Sequence, residues 1–136
     1  MVKNQMKFIV LIFSILGTSI SFAAENFNFE DEYVRLQGEL NKAVFNNYAS
    51  SRDYDDKKIP LSEKLQSKKA WCELNKAHLN LINLISEHFT EYKELMKINN
   101  IDDDSTIEKV KESQSIFKGH YERAKAALND TDYKCE

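Results

Sequence analysis

The stretch 61–98 runs for thirty-eight residues without a glycine or a proline. Within it Leu61, Leu65, Trp71, Leu74, Leu81, Ile85, Phe89, Tyr92 and Met96 recur mostly at steps of three, four or their sums. That is the period of an α-helix and not of a strand. At 1.5 Å per residue an unbroken helix here would be about 57 Å long. A single partner in a small domain cannot cover such a rod. Two further helices must share its apolar surface, one from each side of it in sequence.

The helix before it is expected over 29–49. Phe29, Tyr33, Leu36, Leu40, Ala43 and either Val44 or Phe45 repeat at three and four, and Glu30, Asp31 and Glu32 place negative charge at the positive end of the helix dipole. Gly38 weakens its interior by up to about 1 kcal/mol. Residues 50–60 are polar and aperiodic and read as a loop, and Pro60 disfavours helix at Ile59 while suiting the first turn of the helix that follows. Past Ile98, Asn99 and Asn100 end the long helix, and Asp102, Asp103 and Asp104 belong to a charged turn. Ser105 and Glu108 form a capping box, with Ser105 as N-cap. The last helix carries Ile107, Val110, Gln114, Phe117, Tyr121, Ala124 and Leu128 on its apolar face and stops near Asn129.

Antiparallel packing ties these pieces together. A turn centred near Asp55 puts Ala49 opposite Leu61 and Asn28 opposite Ile82. A turn near 101 or 102 puts Leu128 opposite 75, from where the tail brings Cys135 within disulfide distance of Cys72. The first helix then covers the early half of the central rod and the last covers the late half, with overlap at 72–82. That overlap runs into the segment 79–85, which is apolar on more than one face. The expected fold is an all-α antiparallel three-helix bundle, with four helices if the rod kinks between Asn80 and Asn83.

The N-terminal segment is a different matter. Lys3 and Lys7, the apolar run from Phe8 to Leu16 and the small residues up to Ala24 have the form of a secretory signal peptide, 1–24. The apolar run is shorter than the ~20 residues of a membrane span, and no stable membrane anchor is expected. Residues 25–136 form one helical domain of an exported, periplasmic protein. The 22 acidic residues all lie beyond Lys7 and 2 of the 19 basic ones lie within the leader, leaving 17 − 22, or −5, on the remainder. A mildly acidic chain argues against nucleic acid as a partner and suits a basic protein. Cys72 and Cys135, an even pair in an oxidising compartment, are read as a disulfide.

Chemistry is sparse. His78 and His88 are ten residues apart and His120 is alone, with neither a His-Glu-x-x-His nor a Glu-x-x-His pattern. There is no Gly-x-Ser-x-Gly elbow, no Cys-x-x-Cys-His sequence, and with three glycines no phosphate-cradling loop. The run 101–108 lacks the spacing of a calcium loop. Neither a cofactor nor a metal is expected, and the chain reads as a non-enzyme. Two surfaces invite recognition. One is the loop, where Arg52, Asp53, Tyr54, Asp55 and Asp56 set an aromatic among charges. The other is apolar surface at the ends of the rod, near 61–65 and 95–98.

Glu39-Leu40-Asn41-Lys42, followed thirty residues after Asn41 by the Lys69-Ala70-Trp71 element, resembles the LprI family of exported lysozyme inhibitors, over about 45 residues. The chain departs from that family's pattern at Lys68, where Gln is usual, and at Leu79, where a Cys is usual. The resemblance implies a protein that binds cell-wall-degrading enzymes. Residues alone make Leu40 and Trp71 core positions. The expected function is an inhibitor or immunity protein that occludes a peptidoglycan-degrading enzyme, such as a basic hydrolase or toxin. The alternative is a periplasmic helical chaperone or stress adaptor that holds clients on apolar surface.

Overall fold

A computed structural model describes residues 27–52 and 55–135. The expected signal peptide, and Asp53 and Tyr54 of the loop, lie outside the described residues. Those described form four helices and no strand: α1 (Phe29–Ser50), α2 (Leu61–Glu87), α3 (Phe89–Ile98) and α4 (Ile107–Leu128). None of these helices is long and apolar enough to cross a membrane.

α2 is the centre. α1 and α4 both pack along it, and α3 continues it past a break to meet the start of α1. The expected rod is therefore divided, giving four helices rather than three. The break falls at His88 (φ −122°, ψ 44°), not between Asn80 and Asn83. It has no Gly or Pro to mark it. Instead the Phe27 ring stacks on the His88 ring at 4.4 Å, Phe29 lies 5.9 Å from it, and His88 Nδ1 stands 3.3 Å from Glu91 Oε1. The helical bonds run up to it and resume from it, His88 N–H to Leu84 O at 3.0 Å and Tyr92 N–H to His88 O at 2.9 Å.

Local chemistry sets the other boundaries. Asn28 caps α1, its Oδ1 accepting from the N–H groups of Glu30 and Asp31 at 3.0 and 3.4 Å. α3 ends in a Schellman motif. Asn100 takes the left-handed conformation (φ 54°), and the Ile101 and Asn100 N–H groups donate to Met96 O and Lys97 O at 2.9 and 3.1 Å. α4 is capped one residue later than expected: Thr106 Oγ1, not Ser105, accepts from Lys109 N–H at 3.3 Å. The Ser105 N–H donates to Asp103 Oδ1 at 2.7 Å, so Ser105 belongs to the turn that this carboxylate closes.

The core follows the apolar period. Leu36 and Leu40 of α1, Leu74, Leu81, Ile82, Leu84 and Ile85 of α2 and Val110 of α4 form one buried cluster. The segment 79–85 is covered from two sides, as its pattern requires. A second cluster, Cys72, Leu128 and Cys135 with Leu65 and Tyr121 packed on it, closes the other end. It contains the Cys72–Cys135 disulfide, with Cα atoms 6.2 Å apart.

The disulfide is as expected, but the register that delivers it differs. Trp71 lies against His120, His78 against Phe117, and Asn83 Oδ1 accepts from Gln114 Nε2 at 2.7 Å. Leu128 therefore sits beside Leu65 rather than opposite 75, and the tail reverses to reach Cys72. That reversal is built from Thr131, whose N–H and Oγ1 donate to Leu128 O at 3.1 and 2.8 Å, and whose Oγ1 accepts from Tyr133 N–H at 3.1 Å. The cause of the slide is the α3–α4 turn, which folds back along α3. α1 is displaced as well: Phe27 and Phe29 meet His88, beyond the Ile82 level anticipated for Asn28.

Candidate partner-binding surface at the loop end

The sequence pointed to Arg52, Asp53, Tyr54, Asp55 and Asp56. Of these, Arg52, Asp55 and Asp56 are described. Arg52 is not a free anchor: its Nε donates to Glu63 Oε2 at 3.3 Å and its Nη1 to Ser51 O at 2.8 Å. It ties the start of the loop to the first turn of α2. Asp56 shapes the loop from within, its Oδ1 accepting from Lys58 N–H at 2.8 Å and its carbonyl from Ile59 N–H at 3.3 Å. Across 51–60, Arg52, Lys57 and Lys58 balance Asp53, Asp55 and Asp56. The acidic balance of the chain therefore resides outside this loop.

What distinguishes this end is apolar exposure. Leu61, the first residue of α2, is 71% exposed beside the Arg52–Glu63 pair, and Phe45 and Tyr48 of the last turns of α1 are 70% and 83% exposed. The pattern had placed Val44 or Phe45 on the buried face of α1. Both are exposed, because the inward face of α1 continues from Leu36 and Leu40 through Ala43 and Asn47, and Val44 and Phe45 lie off it. Trp71 is likewise 42% exposed, its edge toward His120 at 6.2 Å, so it is not the core residue that its helical spacing indicated. At the far end of the rod the expected patch is half present. Ile98 is 76% exposed, while Met96 is buried and Leu95 packs on the main cluster.

A second polar cluster, at the α3–α4 turn, was missed because its members are scattered in sequence. Tyr92 OH donates to Asp103 Oδ2, and Lys93 Nζ donates to Asp103 O at 2.5 Å. Burial alone would raise the Asp103 carboxyl. The neighbouring Ser105 and Tyr92 hydroxyls, the Ser105 N–H and the Lys93 ammonium outweigh it, and hold the carboxyl below its ordinary value. Burial and the adjacent carboxylate push the Tyr92 phenol well above the tyrosine range. Ser105 Oγ is buried here without a hydrogen bond of good geometry among the described residues. This cluster fixes the turn and thereby the register of α4.

Between α2 and α4 lies an open groove of about 480 Å³, lined by Leu79, Asn83, Lys111, Gln114, Ser115 and Lys118. Its cations are ammonium groups, and no carboxylate pair lines it. Among the described residues no three His, Cys, Asp or Glu side chains come together as a metal site would require. Comparison with protein-family models, with curated proteins and with solved structures finds no match to this chain.

Proposed function

We propose that this protein is an exported, non-catalytic binding protein that occludes a peptidoglycan-degrading enzyme, as an inhibitor or as the immunity partner of a secreted toxin. The observation that carries the reading is the loop end of the bundle, where Leu61 stands exposed beside a loop pinned by Arg52 to Glu63. Leu61 and Glu63 stand in the first turn of α2, and side chains carried on a helix lose less freedom on docking than those of a free chain, which favours affinity. Tyr54 would supply the aromatic anchor and Leu61 the apolar one, with the charged rim of Asp53, Asp55 and Asp56 excluding water around them. The net charge of −5 over 25–136 (17 − 22), which resides outside 51–60, would speed encounter with a basic enzyme at low salt without itself selecting the loop. The resemblance around Leu40 and Trp71 points to the same class of partner.

The test is the clearing of a cell-wall suspension by lysozyme, with and without the protein. The intact protein slows clearing, and Tyr54→Ala and Leu61→Ala each weaken inhibition by roughly 30-fold, the loss of about 2 kcal/mol that defines a hot spot. Failure of the intact protein to inhibit, or undiminished inhibition by both variants and by Asp55→Ala, refutes the assignment. A second reading, a helical chaperone, draws on Ile98, exposed far from the loop. It predicts suppression of client aggregation that Ile98→Ser abolishes and Tyr54→Ala leaves intact.

A further inference from the structure

Trp71 is the only tryptophan of the chain. It lies at the seam of α2 and α4 with 42% of its surface exposed, roughly 100 Å² of indole. Its ring and that of His120 meet edge-on, centroids 6.2 Å apart. Arg123, one turn further along α4, reaches back toward the same imidazole, its Nη2 standing 3.2 Å from His120 Nδ1. A guanidinium can only donate, so Nδ1 accepts and the imidazole proton sits on Nε2. Indole, imidazole and guanidinium thus stand in a row across two helices.

Two observations set this row apart from a solvated helix surface. The first is Gly119. A glycine inside a helix costs up to about 1 kcal/mol relative to alanine. Here the room it leaves is used, since a Cβ at 119 would lie 3.3 Å from Arg123 Nη1. The glycine lets the guanidinium come close against α4 beside His120. The second is charge. Of the three arginines, Arg35 and Arg52 each face a carboxylate, at 2.6 and 3.3 Å. Arg123 faces none among the described residues. The acidic side chains closest to the row in sequence are turned to other cations, Glu122 to Lys118 at 4.0 Å and Glu73 to Lys69 at 3.8 Å. A positioned guanidinium with N–H groups to spare therefore stands next to an exposed indole.

We propose that Trp71, His120 and Arg123 bind an acidic saccharide. The apolar face of a pyranose ring lies on the indole, the sugar carboxylate pairs with the remaining N–H groups of Arg123, and a ring hydroxyl accepts from His120 Nε2. An indole face is flat, apolar and negative over its π-system, so it attracts the electron-poor C–H groups of a sugar. A guanidinium matches a carboxylate through two parallel hydrogen bonds, each assisted by charge. A wholly apolar occupant would leave the arginine donors unmet, and a bare anion would leave the indole in water. The ligand that satisfies both carries a sugar face and a negative charge on one small unit. At 1.5 Å per residue the site lies about 15 Å along α2 from Leu61, so it stands independently of the enzyme partner proposed above.

As the sole tryptophan, Trp71 reports its own occupancy. The fluorescence of the disulfide-bonded protein is titrated with a hyaluronan tetrasaccharide, which has sugar faces and carboxylates, with chitotetraose, which has the faces alone, and with a short polyglutamate, which has the charge alone. The hyaluronan oligomer changes the emission and saturates between about 10 µM and about 1 mM, the range of a small exposed site. The other two do not saturate over that range. Arg123→Gln weakens binding by about 10-fold or more, as the loss of a charge-assisted pair requires. Gly119→Ala weakens it several-fold while keeping or raising the melting temperature, because the new methyl displaces the guanidinium and not the fold. No saturable change with the hyaluronan oligomer, equal binding of chitotetraose or of polyglutamate, or an affinity untouched by Arg123→Gln or by Gly119→Ala would each overturn the proposal.

Discussion

Replacing Cys72 and Cys135 together by alanine removes the one covalent cross-link among the described residues. The bond closes a segment with a sequence separation of 63. In the chain-entropy treatment, opening a loop of that size releases about 4 kcal/mol of denatured-state entropy. A further contribution comes from the tail. Residues 129–135 are otherwise held by Thr131, and beneath them Leu128 and Cys72 are fully buried. If the tail departs, Leu128 forfeits part of the ~1.5–3 kcal/mol that its burial contributes. The loss is therefore about 4 to 6 kcal/mol, a large share of the ~5–15 kcal/mol typical of a domain. With a urea dependence of about 2 kcal/mol per molar, the midpoint falls by about 2 to 3 M. Urea titration followed by far-UV circular dichroism measures it. Hydrogen exchange locates it, with protection lost first over 121–128 and kept at Leu81 and Ile82. A midpoint shift below about 0.5 M would mean that the reversed tail contributes little, and the register argument for α4 would fail with it.

Three further outcomes follow from named groups. Asp103→Asn loses the carboxylate that Tyr92, Lys93 and the Ser105 N–H address, at a cost of about 1.5–3 kcal/mol at neutral pH. Because the folded-state carboxyl titrates below its unfolded value of 3.8, that contribution is present above pH 3.8 and is lost as pH falls through the lower folded value, so thermal melts of variant and parent converge in acid. His78, stacked on Phe117 and kept below 6.5 by burial, contributes stability above pH 6.5 that fades as pH falls through its depressed folded value. His78→Phe flattens the stability profile over that interval, which melts at stepped pH will show. Gly38→Ala raises stability by up to about 1 kcal/mol, since the added methyl meets open space; a fall in melting temperature would contradict the solvent-facing placement of that residue.

The helices were legible because their apolar residues keep the helical period where they are buried: Leu36 and Leu40, Leu81 and Ile85, Val110 and Leu128. The disulfide was legible from the even pair of cysteines, although the register expected to join them was not the one found. Three things were not. The break at His88 coincides with rings of a distant segment, Phe27 stacked on it and Phe29 tilted against it, and no Gly or Pro announces it. The slide of α4 comes from the Tyr92–Asp103–Lys93 cluster, whose members gain their meaning only when the turn folds back along α3. Trp71 kept helical spacing yet is half exposed, because periodicity reports a face and not whether a neighbour covers it, while Phe45, five residues past Leu40, lies on the opposite face of α1. At the loop, the sequence located charges and an aromatic but gave no sign that Arg52 is spent on Glu63. Leu61 was the better signal, as an aliphatic residue directly after Pro60 at the mouth of a helix.

The central claim is that the loop end meets a cell-wall-degrading enzyme. Amide spectra of the isotope-labelled, disulfide-bonded protein, titrated with unlabelled lysozyme at low salt, test it most directly. The account predicts shifts and broadening confined to 51–63, reversed by added salt. An unchanged spectrum at saturating enzyme, or changes confined to the groove residues Lys111 and Lys118, would contradict it.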